Sequence, residues 1–201
     1  MLSAASNTRL LHFGSVSLSS EPSRSSVLSA VSAAKKAGAI ISYDPNLRFP
    51  LWDDYNYMRD TVLNTLGLAD ILKLSEEEAA FLFNSDDRMD VMKRIETKYH
   101  IPAIIITKGK NGADALINGQ EYTSPGFEIN AVDTTGAGDC FIGGFCRCLI
   151  SSGKAICKLQ VEEAEYALRF ANAAGALATS KKGAIPSIPG ISEVLDLLAS
   201  R

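Results

Sequence analysis

The sequence predicts an α/β protein, built as a three-layer α/β/α sandwich around a mostly parallel sheet. Short β-branched runs alternate along the chain with segments of helical periodicity. The run "IPAIIIT" at 101–107 is apolar almost throughout, which is typical of a strand buried on both faces. Repeated strand–helix–strand order favours a parallel sheet covered by helices. Because no internal repeat or linker-like tract interrupts this order, we expect a single domain over residues 1–201.

The elements follow from periodicity and from residues that begin or end helices. Strands are predicted at 9–16, 38–44, 69–74 and 101–107, and an antiparallel hairpin at 108–127. Helices are predicted from about Pro22 to Lys36, over "SEEEAAFLF" (75–83), from about Gly136 to Ser151, from Val161 to Thr179 and from about Ser192 to Ala199. Proline suits the first turn of a helix and Gly38 suits the end of one. Ser75, with Glu78 three residues later, predicts a capping box.

Composition excludes several classes of function. The net charge is −3 and no basic cluster exceeds a lysine pair, so we expect no nucleic-acid partner. The apolar runs are too short to span a bilayer and the N-terminus has no signal-peptide pattern, so we expect a cytoplasmic protein without a membrane partner. The four cysteines lack metal-ligand spacing and are interpreted as reduced packing residues.

One stretch concentrates the chemistry. In "AVDTTGAGDCFIGGF" (131–145), small residues directly precede an apolar helical run, so a helix begins at the glycines. The first amides of a helix lack intrahelical partners, and small residues let an anion approach them closely. Asp139 in the first turn could simply complement the helix dipole. Alternatively, a carboxylate beside an anion site suits phosphoryl transfer, in which a base takes the proton of a hydroxyl.

These residues are part of a larger resemblance. "DTTGAGD" closely resembles the C-terminal signature of the ribokinase-like, or PfkB, carbohydrate kinases. The resemblance continues through "FGSVSL" (13–18), "YDPNLRFPLW" (43–52), "ILKLSEEEAAFL" (71–82), "TKGKNGA" (107–113) and "FANAAGALATSKKGAIPSIP" (170–189). It covers essentially the whole chain and is strongest toward the fructokinase branch. It implies a ribokinase-like fold and an ATP-dependent sugar kinase that phosphorylates the 6-hydroxyl of fructose.

The resemblance also implies roles for individual residues. Asp139 would be the catalytic base, and Gly136, Ala137 and Gly138 would form the anion hole. The nucleotide would be bordered by Thr107, Gly109, Gly112, Asn172 and the segment around Ala176. Asn46 and Arg48 would face the phosphoryl donor and the acceptor. For Arg48, a salt bridge with Asp44 that closes the turn is the alternative.

Two cation sites are implied in the same way. Glu78 and Ser75 occupy the positions that organise Mg²⁺ through water, with serine in place of the usual asparagine, so Glu78 is expected to carry more of this role. The residues that match the loops around a monovalent cation such as K⁺ are Asp133, Thr135, Ala178, Lys181, Gly183 and Ser187. Several contacts to that cation would come from main-chain carbonyls.

The resemblance begins partway along the family's sequence pattern. Kinases of this family run about half as long again, and the Gly-Gly signature and β-stranded lid have no counterpart here. The chain therefore resembles the C-terminal two-thirds of a fructokinase, without the N-terminal strands and lid. Three hypotheses remain open: a fructokinase, a kinase for another sugar such as 2-keto-3-deoxygluconate, and a truncated, inactive nucleotide-binding or scaffold protein. Family fructokinases often form homodimers, so a homodimer is possible.

Overall fold

The computed structural model describes residues 2–200. By contact density the chain divides into two compact units, Met1–Ile106 and Thr107–Arg201. Both contain strands and helices, as the predicted α/β class requires.

The first unit carries four adjacent strands in the order β1-β2-β3-β4. Their bounds are β1 Leu10–Phe13, β2 Ile40–Tyr43, β3 Ile71–Ser75 and β4 Ala103–Thr107, whose last residue begins the second unit. β1 pairs with β2, and β2 with β3, in parallel. β3 and β4 are buried along all but their last residue, because both faces of a parallel sheet are covered. The four predicted strands are confirmed, each shorter at its start than predicted.

Five α-helices accompany these strands among the described residues of this unit. They are α1 Leu2–Ala5, α2 Ser23–Lys36, α3 Tyr55–Thr65, α4 Glu76–Phe83 and α5 Arg88–Tyr99. α2 packs on β1 and β2, and α4 packs on β3 and α5. Gly38 follows α2 with a φ of 85°, the left-handed conformation that glycine allows at a helix end. Ser75 and Glu78 form the predicted capping box at the start of α4.

The sequence prediction did not identify α3. Asp54 caps this helix, since its carboxylate accepts hydrogen bonds from the amides of Asn56 and Tyr57. Its buried face is narrow, with Met58, Val62 and Thr65 at spacings of four and three residues. Such a thin apolar stripe in a polar segment gives a weak periodic signal.

The second unit combines a hairpin with three helices. The strands β5 Ala113–Ile117 and β6 Gln120–Ser124 pair antiparallel, as predicted. Asn118 and Gly119 connect them with φ values of 52° and 76°, the backbone that a two-residue turn needs. The helices are α6 Ala137–Ser152, α7 Val161–Ala178 and α8 Ile191–Ala199. α7 packs on α6, on α8 and on the hairpin.

The α6–α7 contact is close because small residues line it. A Cβ at Gly144 would lie 3.2 Å from Ala171 Cα and 3.3 Å from the Cβ of Ala174.

Three cysteines lie on α6. Cys146 is buried and Cys140 and Cys148 are half-buried, as expected for packing residues. Cys157 is exposed, so the packing interpretation is wrong for this thiol. Within residues 2–200, no helix is both long enough and apolar enough to cross a membrane.

Candidate active site

The start of α6 is formed by a glycine that no other residue could replace without strain. Gly136 has a φ of 82°, and a Cβ there would lie 3.3 Å from both Cα and Cβ of Ala184. This close approach brings the loop after α7 against the first turn of α6. The predicted position of the helix start at the glycines is confirmed.

The backbone amides of this first turn are available to a ligand. The amide of Ala137 donates to Thr134 O at 3.2 Å, and that of Cys140 donates to Gly136 O at 2.8 Å. The amides of Gly138 and Asp139 between them have no hydrogen-bond acceptor among the described residues. They lie at the positive end of the helix dipole, where an anion is stabilised.

Asp133 ties the segment before α6 to the loop after α7. Its Oδ1 accepts from the amide of Thr135 and its Oδ2 from the amide of Gly183, each at 2.9 Å. Hydrogen bonds from the Thr135 side chain, with those from the amides of Gly183 and Thr135, lower the pKa of Asp133. In addition, Thr179 O accepts from the amides of Val132 and Asp133. The segment that leads into the predicted anion hole is therefore fixed by hydrogen bonds to α7 and to the loop that follows it.

Two cavities border the start of α6. The first, of about 440 Å³, is lined by Gly136 and Asp139 and otherwise mainly by apolar residues of α6, α8 and the loop between α7 and α8. The second, of about 240 Å³, is lined by Ala137 and Gly138 on its helix side. Asp139 and part of the predicted anion hole thus line two different cavities, although they lie in the same helical turn. Asp139 itself is exposed.

The second cavity brings together four of the five residues predicted at the nucleotide, namely Thr107, Gly109, Gly112 and Asn172; the fifth, Asn46, is not among its lining residues. Ala176 lines it too, as expected. Asn172 is buried on α7, and its Nδ2 donates to Ser124 O at 3.3 Å. This bond fixes the amide side chain against the end of β6.

The loop at 108–112 that forms one wall of this cavity is tightly constrained. Gly112 has a φ of 93°, and a Cβ there would overlap the carbonyl oxygen of Ser124. A Cβ at Gly126 would likewise overlap the carbonyl oxygen of Lys110. The amide of Lys108 donates to Gly112 O at 2.8 Å and closes the turn. Only glycine fits at these two contacts, so the backbone position of the loop is fixed.

Sequence reasoning missed Lys110, which lines the same cavity. It lies between Gly109 and Gly112, both of which were predicted, so its place in "TKGKNG" was the signal available. Its neighbour Lys108 is engaged elsewhere, since Lys108 Nζ lies 2.6 Å from Asp114 Oδ1 in a largely buried ion pair. Thr123 Oγ1 also donates to Asp114 Oδ1, at 3.0 Å.

In the first unit, a buried ion pair anchors the start of the loop that follows β2. Lys73 Nζ lies 2.9 Å from Asp44 Oδ2, and the two side chains are 8% and 3% exposed. The ion-pair partner of Asp44 is Lys73. The alternative interpretation, in which Arg48 forms a turn-closing salt bridge with Asp44, is therefore wrong. Arg48 is exposed and donates to Leu47 O at 3.4 Å. Asn46 adopts a φ of 48°, a left-handed conformation that asparagine tolerates.

Glu78 connects the same loop to α4. Its Oε1 accepts from the amide of Leu47 at 2.6 Å, and its Oε2 accepts from the amide of Ser75 at 2.8 Å. Burial raises the pKa of Glu78 and the nearby Asp44 charge adds to the shift, while the Ser75 amide opposes it. Both carboxylate oxygens retain a lone pair for a water molecule. A water-mediated role toward a metal ion fits this geometry better than direct ligation.

The residues predicted around a monovalent cation are brought together only in part. Asp133, Thr135 and Gly183 are joined by hydrogen bonds, and Ser187 is buried with its hydroxyl donating to Ala184 O. Lys181 instead directs its ammonium to Glu193 Oε1 at 3.1 Å, so its side chain forms an ion pair with α8. Within residues 2–200, no three His, Cys, Asp or Glu side chains cluster as metal ligands would.

Comparison with known proteins identifies the family. Residues 2–191 match the model described as pfkB family carbohydrate kinase. The chain is 42% identical over 181 residues to a fructokinase of Klebsiella pneumoniae, covering 89% of this chain and 57% of that protein. It is 39% identical over 195 residues to probable fructokinase-7 of Arabidopsis thaliana, covering 96% of this chain and 56% of that protein.

A solved structure agrees with these matches. The crystal structure of fructokinase from Vibrio cholerae O395 in its fructose, ADP and calcium ion bound form superposes with a TM-score of 0.89 at 32% identity. The match covers 98% of this chain and 64% of that one. The predicted ribokinase-like α/β fold is therefore confirmed. The chain spans a little over half the length of the curated relatives it matches.

Proposed function

Because this chain belongs to the pfkB family of carbohydrate kinases, we propose that it transfers the γ-phosphoryl group of ATP to a sugar hydroxyl. The observation that carries the proposal is the first turn of α6, which borders a cavity holding Asp139 on one side and the cavity of the predicted nucleotide residues on the other. This turn therefore brings the proposed base and the predicted anion-hole residues within one turn of helix, as transfer of a phosphoryl group requires.

Asp139 is the base in this proposal. Its carboxylate takes the proton from the attacking hydroxyl as the oxygen–phosphorus bond forms and the bond to ADP breaks. The amides of Gly138 and Asp139 donate to the oxygens of the transferring group, where negative charge is concentrated. Gly136, in its left-handed conformation, sets the direction of these amides.

Mg²⁺ would neutralise charge on the nucleotide phosphates. We assign Glu78 to hold water molecules of the hydrated ion, because its oxygens already accept two backbone hydrogen bonds. Ser75 supports Glu78 through the capping box rather than through the metal. A monovalent cation such as K⁺ would bind main-chain carbonyls of the segments joined by Asp133 and Gly183.

Fructose is the acceptor we propose, with fructose 6-phosphate as the product. The relatives named fructokinase and the Vibrio cholerae structure with bound fructose support this choice. A kinase acting on another sugar, such as 2-keto-3-deoxygluconate, shares the same base and anion hole. A third possibility is a chain that binds nucleotide without turnover, since it spans little more than half of its relatives.

The test is ADP formation from ATP and Mg²⁺ with fructose, with 2-keto-3-deoxygluconate and without sugar, for the native chain and Asp139→Ala. We expect ADP formation that requires fructose and is lost in the variant. ADP formation only with the other sugar would reassign the substrate. ATP binding with no sugar-dependent ADP formation would reject the kinase proposal and favour the third possibility.

A further inference from the structure

A groove runs along the second unit between α6 and α8. Both helices pack on α7, which forms the floor of the groove. One end is the cavity of about 440 Å³ beside Asp139, and the other is a cavity of about 490 Å³ beside the second half of α6. The two cavities share three lining residues, one from each helix: Arg147 of α6, Phe170 of α7 and Ile191 of α8. They are therefore parts of one groove.

An apolar ridge forms the α8 wall of this groove. It consists of Ile185, Ile188, Ile191 and Leu195, which are 82%, 60%, 46% and 45% exposed. Ile185 and Ile188 line the first cavity, Leu195 lines the second, and Ile191 lines both, so the four side chains form a row along the groove. Single exposed apolar residues are ordinary, but a contiguous row is typical of an interaction surface.

The α6 wall contains a glycine with open space above it. Gly143 lines the groove and is exposed, and no atom lies within 4 Å of an added Cβ. Close packing of α6 on α7 explains the neighbouring Gly144, but it does not explain Gly143. Glycine inside a helix is destabilising relative to alanine, and it often marks a place where another element approaches closely. Gly143 leaves room for a side chain of a second polypeptide.

Two charged side chains of opposite sign line the groove without an ion-pair partner among the described residues. They are Arg147, shared by the two cavities, and Glu162 at the start of α7. Both are exposed, whereas the adjacent Glu163 is held by Lys154. A two-fold rotation brings the same surface of two copies together, so Arg147 of each copy can meet Glu162 of the other. Both charges are then compensated at once.

The surface is large enough for two chains to associate. α6 has sixteen residues, so it is about 24 Å long, and two helices side by side are about 20 Å wide. The flat projection of the surface is therefore about 500 Å². The ridge and groove raise its accessible area toward the roughly 800 Å² per partner of a standard interface.

We propose that two copies of this chain associate through this surface, with the ridge of each copy entering the groove of the other beside Gly143. A second copy is favoured over an unrelated polypeptide because one surface supplies both the ridge and the groove, and both charges of the pair. The contact is centred on Arg147, about two turns of α6 from Asp139. The inference goes beyond the proposed kinase activity and does not depend on it.

The experiment is sedimentation velocity of the full chain from about 1 to 200 μM. The variants are Ile188→Glu in the ridge, Arg147→Glu in the groove, and the charge exchange Arg147→Glu/Glu162→Arg. Leu51→Glu is the matched control, because Leu51 is an apolar residue of the first unit with 53% exposure.

We expect the native chain to change from its monomer mass of 21.5 kDa to twice that mass, with a Kd of about 10 μM. Ile188→Glu and Arg147→Glu should each raise this Kd about tenfold or more, because each places an unpaired carboxylate in the contact. The charge exchange should bring the Kd back to within about threefold of the native value. Leu51→Glu should associate like the native chain.

The cysteines allow a second measurement on the native chain itself. Cys140 and Cys148 line the groove, whereas Cys157 is exposed and is not among its lining residues. Alkylation, followed by mass spectrometry, should therefore be slower for Cys140 and Cys148 at concentrations where the dimer forms. The rate for Cys157 should not change.

Three results would overturn the proposal. A monomer at every concentration would leave the groove to a different polypeptide. A dimer whose Kd is the same in Ile188→Glu and Arg147→Glu as in the native chain, or one that Leu51→Glu dissociates equally, would place the contact elsewhere. A charge exchange that fails to restore association would reject the two-fold pairing of Arg147 with Glu162.

Discussion

Asp133 Oδ2 accepts a hydrogen bond of 2.9 Å from the amide of Gly183, a residue 50 positions further along the chain. The same carboxylate accepts from the amide of Thr135 through Oδ1. One side chain thus joins the segment that leads into α6 to the loop that packs on Gly136. We therefore expect the geometry of the predicted anion hole to depend on this link.

We expect Asp133→Ala to loosen the start of α6. Both acceptors are lost, so the segments before α6 and after α7 separate more easily, and the amides of Gly138 and Asp139 become less well directed. The expected results are a lower Tm, by about 2–4 °C for a chain of this size, and a several-fold rise in the Kd for ATP. Differential scanning calorimetry and calorimetric titration measure both. Unchanged ATP affinity would show that the link is structural only.

Alanine substitutions at two adjacent glycines of α6 should change the free energy of unfolding in opposite directions. Gly143 is exposed with no atom within 4 Å of an added Cβ, so Gly143→Ala should stabilise the helix by about 0.5–1 kcal/mol. Gly144 packs on Ala171 and Ala174, so Gly144→Ala should destabilise the chain by about 1–3 kcal/mol. Urea unfolding of the pair measures the contrast. Equal effects would contradict the close α6–α7 packing.

Removing Lys73 should be strongly destabilising, because Asp44 would be left as a buried charge. We expect Lys73→Met to lower the free energy of unfolding by about 3–5 kcal/mol. The double variant Lys73→Met/Asp44→Asn should recover part of this loss, since the unpaired charge is removed. Lys36→Met, at an exposed position, is the control and should change little. A small effect in the Lys73 variant would mean that water reaches the pair.

Glu163 gives a pH-dependent prediction at the start of α7. Hydrogen bonds from the Gln160 amide and from Lys154 lower the pKa of Glu163 below its ordinary value of 4.5. The ionised form therefore stabilises the fold above that value, and this contribution is lost as the pH falls through the lower folded-state pKa. Glu163→Gln should lower Tm by about 1–3 °C at pH 7, and the difference should shrink progressively as the pH is lowered below 4.5. A difference that stays constant as the pH falls would contradict this origin.

The sequence allowed the parallel strands to be predicted because their burial on both faces produces continuous apolar runs such as 101–107. It also located the start of α6, since small residues before an apolar run leave few alternatives. It did not identify α3, whose buried stripe is thin. Local patterns could not find the partner of Asp44, because Lys73 lies 29 residues away and meets it only through the pairing of β2 with β3.

In the candidate site, too, some features could be predicted from the sequence and others could not. Four of the residues predicted at the nucleotide line one cavity, because the segment 107–112, α6 and α7 all contribute to its wall. Lys110 was missed because lysine in a turn is ordinarily a solvated residue. Lys181 was assigned by its position in the family pattern, where a main-chain carbonyl can supply the contact, and its side chain forms an ion pair with Glu193 on α8. Side-chain direction at an exposed residue depends on such neighbours, which sequence spacing does not reveal.

The central proposal is that Asp139 acts as a base beside an anion hole in the same helical turn. Its most direct test compares the native chain with Asp139→Asn in two assays, fructose-dependent ADP formation and ATP binding. Asparagine keeps the shape of the side chain but cannot take a proton. We predict that fructose-dependent ADP formation falls by about 10²-fold or more, while the Kd for ATP stays within about twofold of the native value. Undiminished turnover in the variant, or loss of ATP binding together with turnover, would contradict the role given to Asp139.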